Sequence, residues 1–157
     1  TGVSRAVLIV LMLIGGSPGS TAGGMKTTTA AVLFANAAAT FRQRENAHFF
    51  GRRIDSTVVK NAATILVMYI TLMLAGGCAV SLIEDLPLST CLFETASAVG
   101  TVGVTLGITP SLGLASHIIL ILLMFLGRVG GLTVIYAAMS GKDTFTAKLP
   151  QEKIIVG

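Results

Sequence analysis

Apolar residues fill three long runs of the chain, with polar segments between them. The first run, Ala6 to Phe41, is cut by the ten residues GGSPGSTAGG at 15–24. The second, Val58 to Ile83, carries a single Lys near its start, and the third, Leu112 to Met139, surrounds one charge, Arg128. Each is long enough to cross a hydrocarbon core, which takes roughly 20 helical residues; the buried helices of a soluble protein are the alternative. Between the second and third runs, the pattern predicts a helix of about three turns over Leu88 to Ala98, with Ser89 as its N-cap. It is followed by GTVGVTLG, residues 100–107, where Gly alternates with Thr and Val in a strand-like piece. A short helix and an extended Gly/Thr/Val segment between two spans predict a re-entrant pore loop, because non-helical backbone at membrane depth survives only inside protein or beside a wet cavity. An extracellular turn carrying an amphipathic helix is the competing arrangement.

Composition places the chain in a bilayer: 53% of residues are hydrophobic, 11% are charged and Trp is absent. Charge then gives orientation. Eight of the eleven basic residues fall at Arg42, Arg44, Arg52, Arg53 and Lys60, or at Lys142, Lys148 and Lys153, which makes both segments cytoplasmic by the positive-inside rule. The stretch 81–116 holds Glu84, Asp85 and Glu94 with no Lys or Arg and so faces outward. The net charge of +4 is therefore an orientation signal, and no nucleic-acid partner is expected. Cys78 and Cys91 lack metal-ligand spacing, and His48 and His117 stand far apart with no paired nucleophile, so no enzyme activity is expected. Thr1 is not an initiator Met and no signal peptide follows it; the chain reads as a piece of a longer protein.

The chemistry of Gly100, Thr101, Val102 and Gly103 suits a monovalent cation. Backbone carbonyls turned to one side replace a hydration shell, Gly permits the required dihedral angles, and Thr adds a hydroxyl oxygen. Ala6 to Ile14 supplies only nine residues, about half a span, so the break at Gly15, Gly16, Ser17, Pro18, Gly19, Ser20, Thr21, Ala22, Gly23 and Gly24 falls inside the membrane. Its freed backbone groups need water or protein, and a hydroxyl-bearing loop beneath a filter can obstruct a path and move aside. A phosphate loop is an alternative, although Met25 displaces Lys26 by one position from GxxxxGK[ST]. So is the discontinuous helix of an ion-coupled secondary transporter, with its substrate site at the break. Arg128, in FLGRVGGLT, must face protein or water; it is expected either to latch the 15–24 loop through its five donors or to bind carbonyls of a neighbouring helix. Lys26 is expected to snorkel toward the interface.

GGSPGSTAGGMKTTT, SAVGTVGVTLGITP, FLGRVGGLT and the closing PQEKIIVG together resemble the membrane subunit of the Trk/Ktr/HKT potassium transporter superfamily, of the KtrB type, from about residue 4 to the end. The resemblance implies an all-α membrane protein of helix–pore-loop–helix repeats, four to a pore. Residues 1–45 would hold the second helix of the third repeat, interrupted by the intramembrane loop 15–24; 46–55 a cytoplasmic basic loop; 56–140 the fourth repeat; and 141–157 a cytoplasmic tail. Within the fourth repeat the implied parts are a helix at 56–83, a pore helix at 88–99, a filter at 100–104 and a helix at 112–140. It further implies K+ as permeant ion, with Na+ in addition, no bound cofactor, and the bacterial plasma membrane as location. The partners implied are lipid, a second copy of the full-length subunit and a cytosolic nucleotide- and NAD-sensing regulatory subunit, for which the tail and residues 42–53 would be contact surfaces. Gly103 maps to the filter glycine and Arg128 to the gate-facing Arg. Only one quarter of a filter is present, so such a chain should not conduct alone, and Val104 stands where Leu is common in the family.

Overall fold

A computed structural model of the chain describes residues 2–44, 48–49 and 52–130. Among them the architecture is helical, apart from one antiparallel two-stranded ladder. The order is α1 Gly2–Leu13, α2 Thr27–Phe41, β1 His48–Phe49, β2 Arg52–Arg53, α3 Ser56–Glu84, α4 Leu88–Val99, a 3-10 turn at Thr109–Ser111, and α5 Leu114–Val129. The expected helix at 112–140 is described only to residue 130, and the tail 141–157 and part of the basic loop 46–55 lie outside the described residues.

α3 is the one helix among the described residues that is both long and apolar enough to cross a membrane. Its 29 residues rise about 43 Å, beyond the roughly 30 Å of a hydrocarbon core. Asp55 starts it, with Oδ1 accepting the N–H of Thr57 at 3.1 Å. Asp85, in the left-handed region at φ 53°, ends it. Only 28% of its most apolar 18-residue stretch is buried, and Val67, Ile70 and Leu74 point outward. A soluble core helix would hide such a face, so this pattern suits a helix bordered by lipid or by further membrane helices.

α1 and α2 are each shorter than a full span, roughly 18 and 22 Å long against about 30 Å. The chain leaves helix after Leu13 and resumes at Thr27, a break wider at both ends than 15–24. α4 is the centre of the molecule. It packs on α1, α3 and α5, while α2 packs on α3. Cys91, Phe93, Ala96 and Val99 of α4 are almost wholly buried, together with Val80 of α3. Thr95 binds α4 to its neighbour by donating its hydroxyl to the Met73 carbonyl at 3.1 Å.

Two expectations are corrected here. Ser89 does not cap α4: Pro87 holds the N-cap position with no side-chain bond, and Ser89 lies inside the helix. Proline's fixed φ starts a helix without needing an N–H partner. Residues 100–107 form no strand, because Thr101, Gly103 and Gly107 all have positive φ and break the extended run.

Candidate functional site

The loop after α1 returns beside its own start. Gly15 N–H donates to the Met25 carbonyl at 2.6 Å and Met25 N–H to the Leu13 carbonyl at 3.0 Å, which pairs Ile14 with Met25 in a parallel bridge. Its tip, Ser17 to Thr21, is exposed, whereas Gly23, Gly24 and Met25 are buried. Lys26 does not extend away: Nζ turns back to donate to the Ser20 carbonyl at 3.1 Å and the Ala22 carbonyl at 2.7 Å. Among the described residues the cation on the loop's carbonyls is thus Lys26, and no hydrogen bond joins Arg128 to the loop.

The segment after α4 begins with the two crossed bonds of a left-handed helix end. Thr101 N–H donates to the Ala98 carbonyl at 3.0 Å, and Val102 N–H to the Ser97 carbonyl at 2.9 Å. Glycine usually fills the left-handed position, yet Gly100 stays right-handed at φ −72° and Thr101 takes φ 51°. For a β-branched residue this conformation costs on the order of 1–3 kcal/mol and survives only where surroundings impose it. Gly103 follows at φ 83°, with Val102 between them outside the positive region. Positive φ at Thr101 and Gly103, on either side of Val102, breaks the regular alternation of carbonyls that extended backbone has.

The two segments meet. Gly23 N–H donates to Thr101 Oγ1 at 2.7 Å, a contact between residues 78 apart in sequence. There is no room for a side chain at the junction: a Cβ on Gly23 would lie 2.6 Å from Thr101 Oγ1 and 3.1 Å from the Gly127 carbonyl. Gly127 likewise lies against the Val99 carbonyl, and its own carbonyl accepts the buried Tyr69 hydroxyl at 3.1 Å. α5 is thereby held on α3 and α4 where it passes the loop. Arg128, the next residue, borders a cavity of about 430 Å³ with Ser97, Thr101, Gly103, Met124 and Phe125. Residues 15–24, 100–103 and Arg128 therefore occupy one region.

Sequence reasoning missed Glu94. It entered the sequence reading only as one of the acids that place the stretch 81–116 on the outer side, and it is only 4% exposed on α4. Oε1 accepts Thr105 Oγ1 at 2.7 Å and Leu106 N–H at 2.8 Å, and Oε2 accepts Thr109 Oγ1 at 2.9 Å. Its signal in the sequence was an acidic residue in the middle of a short helix that has to be buried, with Thr 11 and 15 positions later. Glu84 does comparable work at the end of α3, accepting Gly113 N–H at 2.7 Å and Ser116 Oγ at 2.6 Å and so holding the start of α5.

The family model described as TrkH, cation transport protein, matches residues 3–153. The chain belongs to this family. It is 38% identical to the potassium/sodium uptake protein NtpJ of Enterococcus hirae, over 99% of this chain and 36% of that protein. It is 36% identical to Ktr system potassium uptake protein B of Bacillus subtilis, over 95% of this chain and 33% of that one. The protein of the same name in Vibrio alginolyticus is 33% identical over 96% and 33%. The chain thus spans about a third of the length of these relatives, and it is of the Trk/Ktr, KtrB-like type of cation transport protein.

Proposed function

We propose that this chain forms part of the permeation path of a bacterial potassium uptake system, a membrane transporter without enzyme activity, with Gly100 to Gly103 as one quarter of its filter. The observation that carries the reading is the positive φ of both Thr101 and Gly103, on either side of Val102, at the C-terminal end of α4. Carbonyls on such a segment can replace the hydration shell of K+ as neutral dipoles, which bind a cation without trapping it. The helix end adds a partial negative charge, roughly half an elementary charge, close to the same segment. K+ is substrate here, moving down its electrochemical gradient, and Na+ is a second transported ion in line with the potassium/sodium relative.

Beside the filter, residues 15–24 act as the gate. The Gly23 to Thr101 bond supports this, since it seats the loop against the filter's own hydroxyl. Arg128 raises the barrier for cations in the shared cavity and, on a shift of its long side chain, latches the loop. The working protein is a plasma-membrane subunit with a cytoplasmic C-terminus, paired with a second full-length copy and with a cytosolic nucleotide- or NAD-sensing subunit. The names of the Ktr system relatives support further components.

The test is potassium uptake in a bacterium lacking its own uptake systems, using the full-length subunit that carries these residues. Growth at low K+ with a lowered K+ over Na+ permeability ratio in Gly103→Ser is the expected result. An unaltered ratio at normal expression removes residue 103 from the filter.

A further inference from the structure

The filter segment has two ends, and only the inner one is explained by the helix that precedes it. Thr101 and Val102 are tied to Ala98 and Ser97 at the end of α4. Gly103 and Val104 have no hydrogen bond on their N–H groups among the described residues, and the next fixed points are Thr105, Leu106 and Thr109. All three are fixed by one side chain, Glu94, about one turn before Ser97 on the same helix. The 101–105 segment is therefore strung between two anchors on α4, and its length is set by the reach of Glu94.

We propose that Glu94 is a specificity-determining positioning residue, whose buried carboxyl clamps residues 105–109 and thereby holds the carbonyls of 101–103 at the spacing that prefers K+ to Na+. The proposal rests on the filter reading above. It adds a cause that lies outside the filter itself. All three partners are neutral, so the contact acts by geometry and not by pairing charges. Thr105 and Thr109 also touch each other, Oγ1 to Oγ1 at 2.9 Å, and Gly107 N–H donates to Thr105 Oγ1 at 2.9 Å. The clamp thus gathers the whole outer turn into one network, and networks of this kind fail as a unit when a member is removed.

Geometry and charge make opposite predictions for two conservative variants. In Glu94→Gln the amide keeps Oε1 for Thr105 and Leu106, while its nitrogen donates to Thr109, whose hydroxyl then turns to Thr105; the clamp survives without the charge. In Glu94→Asp the charge survives, but the side chain is one methylene too short to reach.

The experiment measures K+ over Na+ permeability ratios for the full-length subunit in membranes, with the amount of inserted protein determined for each variant. Glu94→Gln is expected to keep the parent ratio, and Glu94→Asp to lower it by about tenfold. Thr105→Val and Thr109→Val should each lower it by about threefold, the scale of one hydrogen bond. A fall in Gln with a normal ratio in Asp overturns the clamp in favour of charge. If Asp fails to insert, the two Thr variants decide: parent ratios in both overturn the proposal. Gly103→Ser run alongside separates the two levels. A lowered ratio there with no change in Asp or the Thr variants removes only the clamp, whereas an unaltered ratio in Gly103→Ser removes the filter reading itself.

Discussion

Two glycine-rich segments interrupt helices in this molecule, and they are held in opposite ways. The segment after α4 is tied at both ends to one helix, by Ser97 and Ala98 on one side and by Glu94 on the other. The loop between α1 and α2 is closed at its neck by the Ile14 to Met25 bridge and by Thr27 N–H donating to the Gly16 carbonyl at 3.3 Å, but from Ser17 to Ala22 its bonds run only within itself and to Lys26. A single hydrogen bond, Gly23 to Thr101, ties the body of the loop to the rest of the site. A region with few contacts of its own opens at low free-energy cost, and a doubly anchored one does not. The same residue type thus supplies a rigid dihedral pattern in one place and a hinge-like loop in the other.

The strongest way to break this comparison is to remove the loop. Deleting residues 17–23 from the full-length subunit should raise K+ flux at unchanged selectivity, because the obstruction goes while the filter keeps both anchors. Unchanged or reduced flux at normal insertion would place the gate elsewhere. Next in size is Gly127→Ala, which puts a methyl group into the Val99 carbonyl. Overpacking of this kind costs about 1–3 kcal/mol, so the full-length subunit in detergent should show a clearly lowered thermal midpoint. A parent-like midpoint would show that α5 can move off α4 freely.

Lys26→Met sharpens the comparison from the loop's side. It removes a charged donor from two carbonyls and keeps the apolar stem. Charge-assisted bonds are worth about 1.5–3 kcal/mol, less at a partly exposed site. Flux should rise, though by less than in the deletion, and limited proteolysis at the loop should be faster. If flux and proteolysis both stay at parent values, Lys26 is not what holds the loop folded.

Much of the helical frame was legible because hydrophobicity and length are local properties of the sequence. The apolar run at Val58 to Ile83 gives α3 to within a few residues, and the glycine cluster at 15–24 marks the break between α1 and α2. The details of the site were not legible, for a physical reason: each depends on a partner far away in the chain. Lys26 looked like a residue that would reach for the interface, yet the loop curls back and offers it two carbonyls. Glu94 served only as a mark of which side of the membrane its segment faces, and its role depends on residues 105–109 folding back to it. Glycine is the usual left-handed residue, yet Gly100 stays right-handed and Thr101 takes that conformation in its place.

That last exchange gives the smallest effect and the most discriminating one. Thr101→Gly has two opposed consequences at a single position. It relieves a β-branched residue held at φ 51°, and relief of that conformation stabilises by about 1 kcal/mol. It also deletes the hydroxyl that accepts from Gly23, leaving a buried N–H without its partner at a cost of about 1–3 kcal/mol. The two nearly cancel in overall stability, so the thermal midpoint of the full-length subunit should move little. They do not cancel in function, because the strain belongs to the filter and the lost bond belongs to the contact with the loop. The variant should therefore show raised basal K+ flux with a near-parent midpoint. Thr101→Ser, which keeps the hydroxyl, should restore the parent flux. Equal flux in Thr101→Gly and parent would mean that the Gly23 bond does not hold the loop against the filter, and the two glycine-rich segments would then have to be treated as mechanically independent.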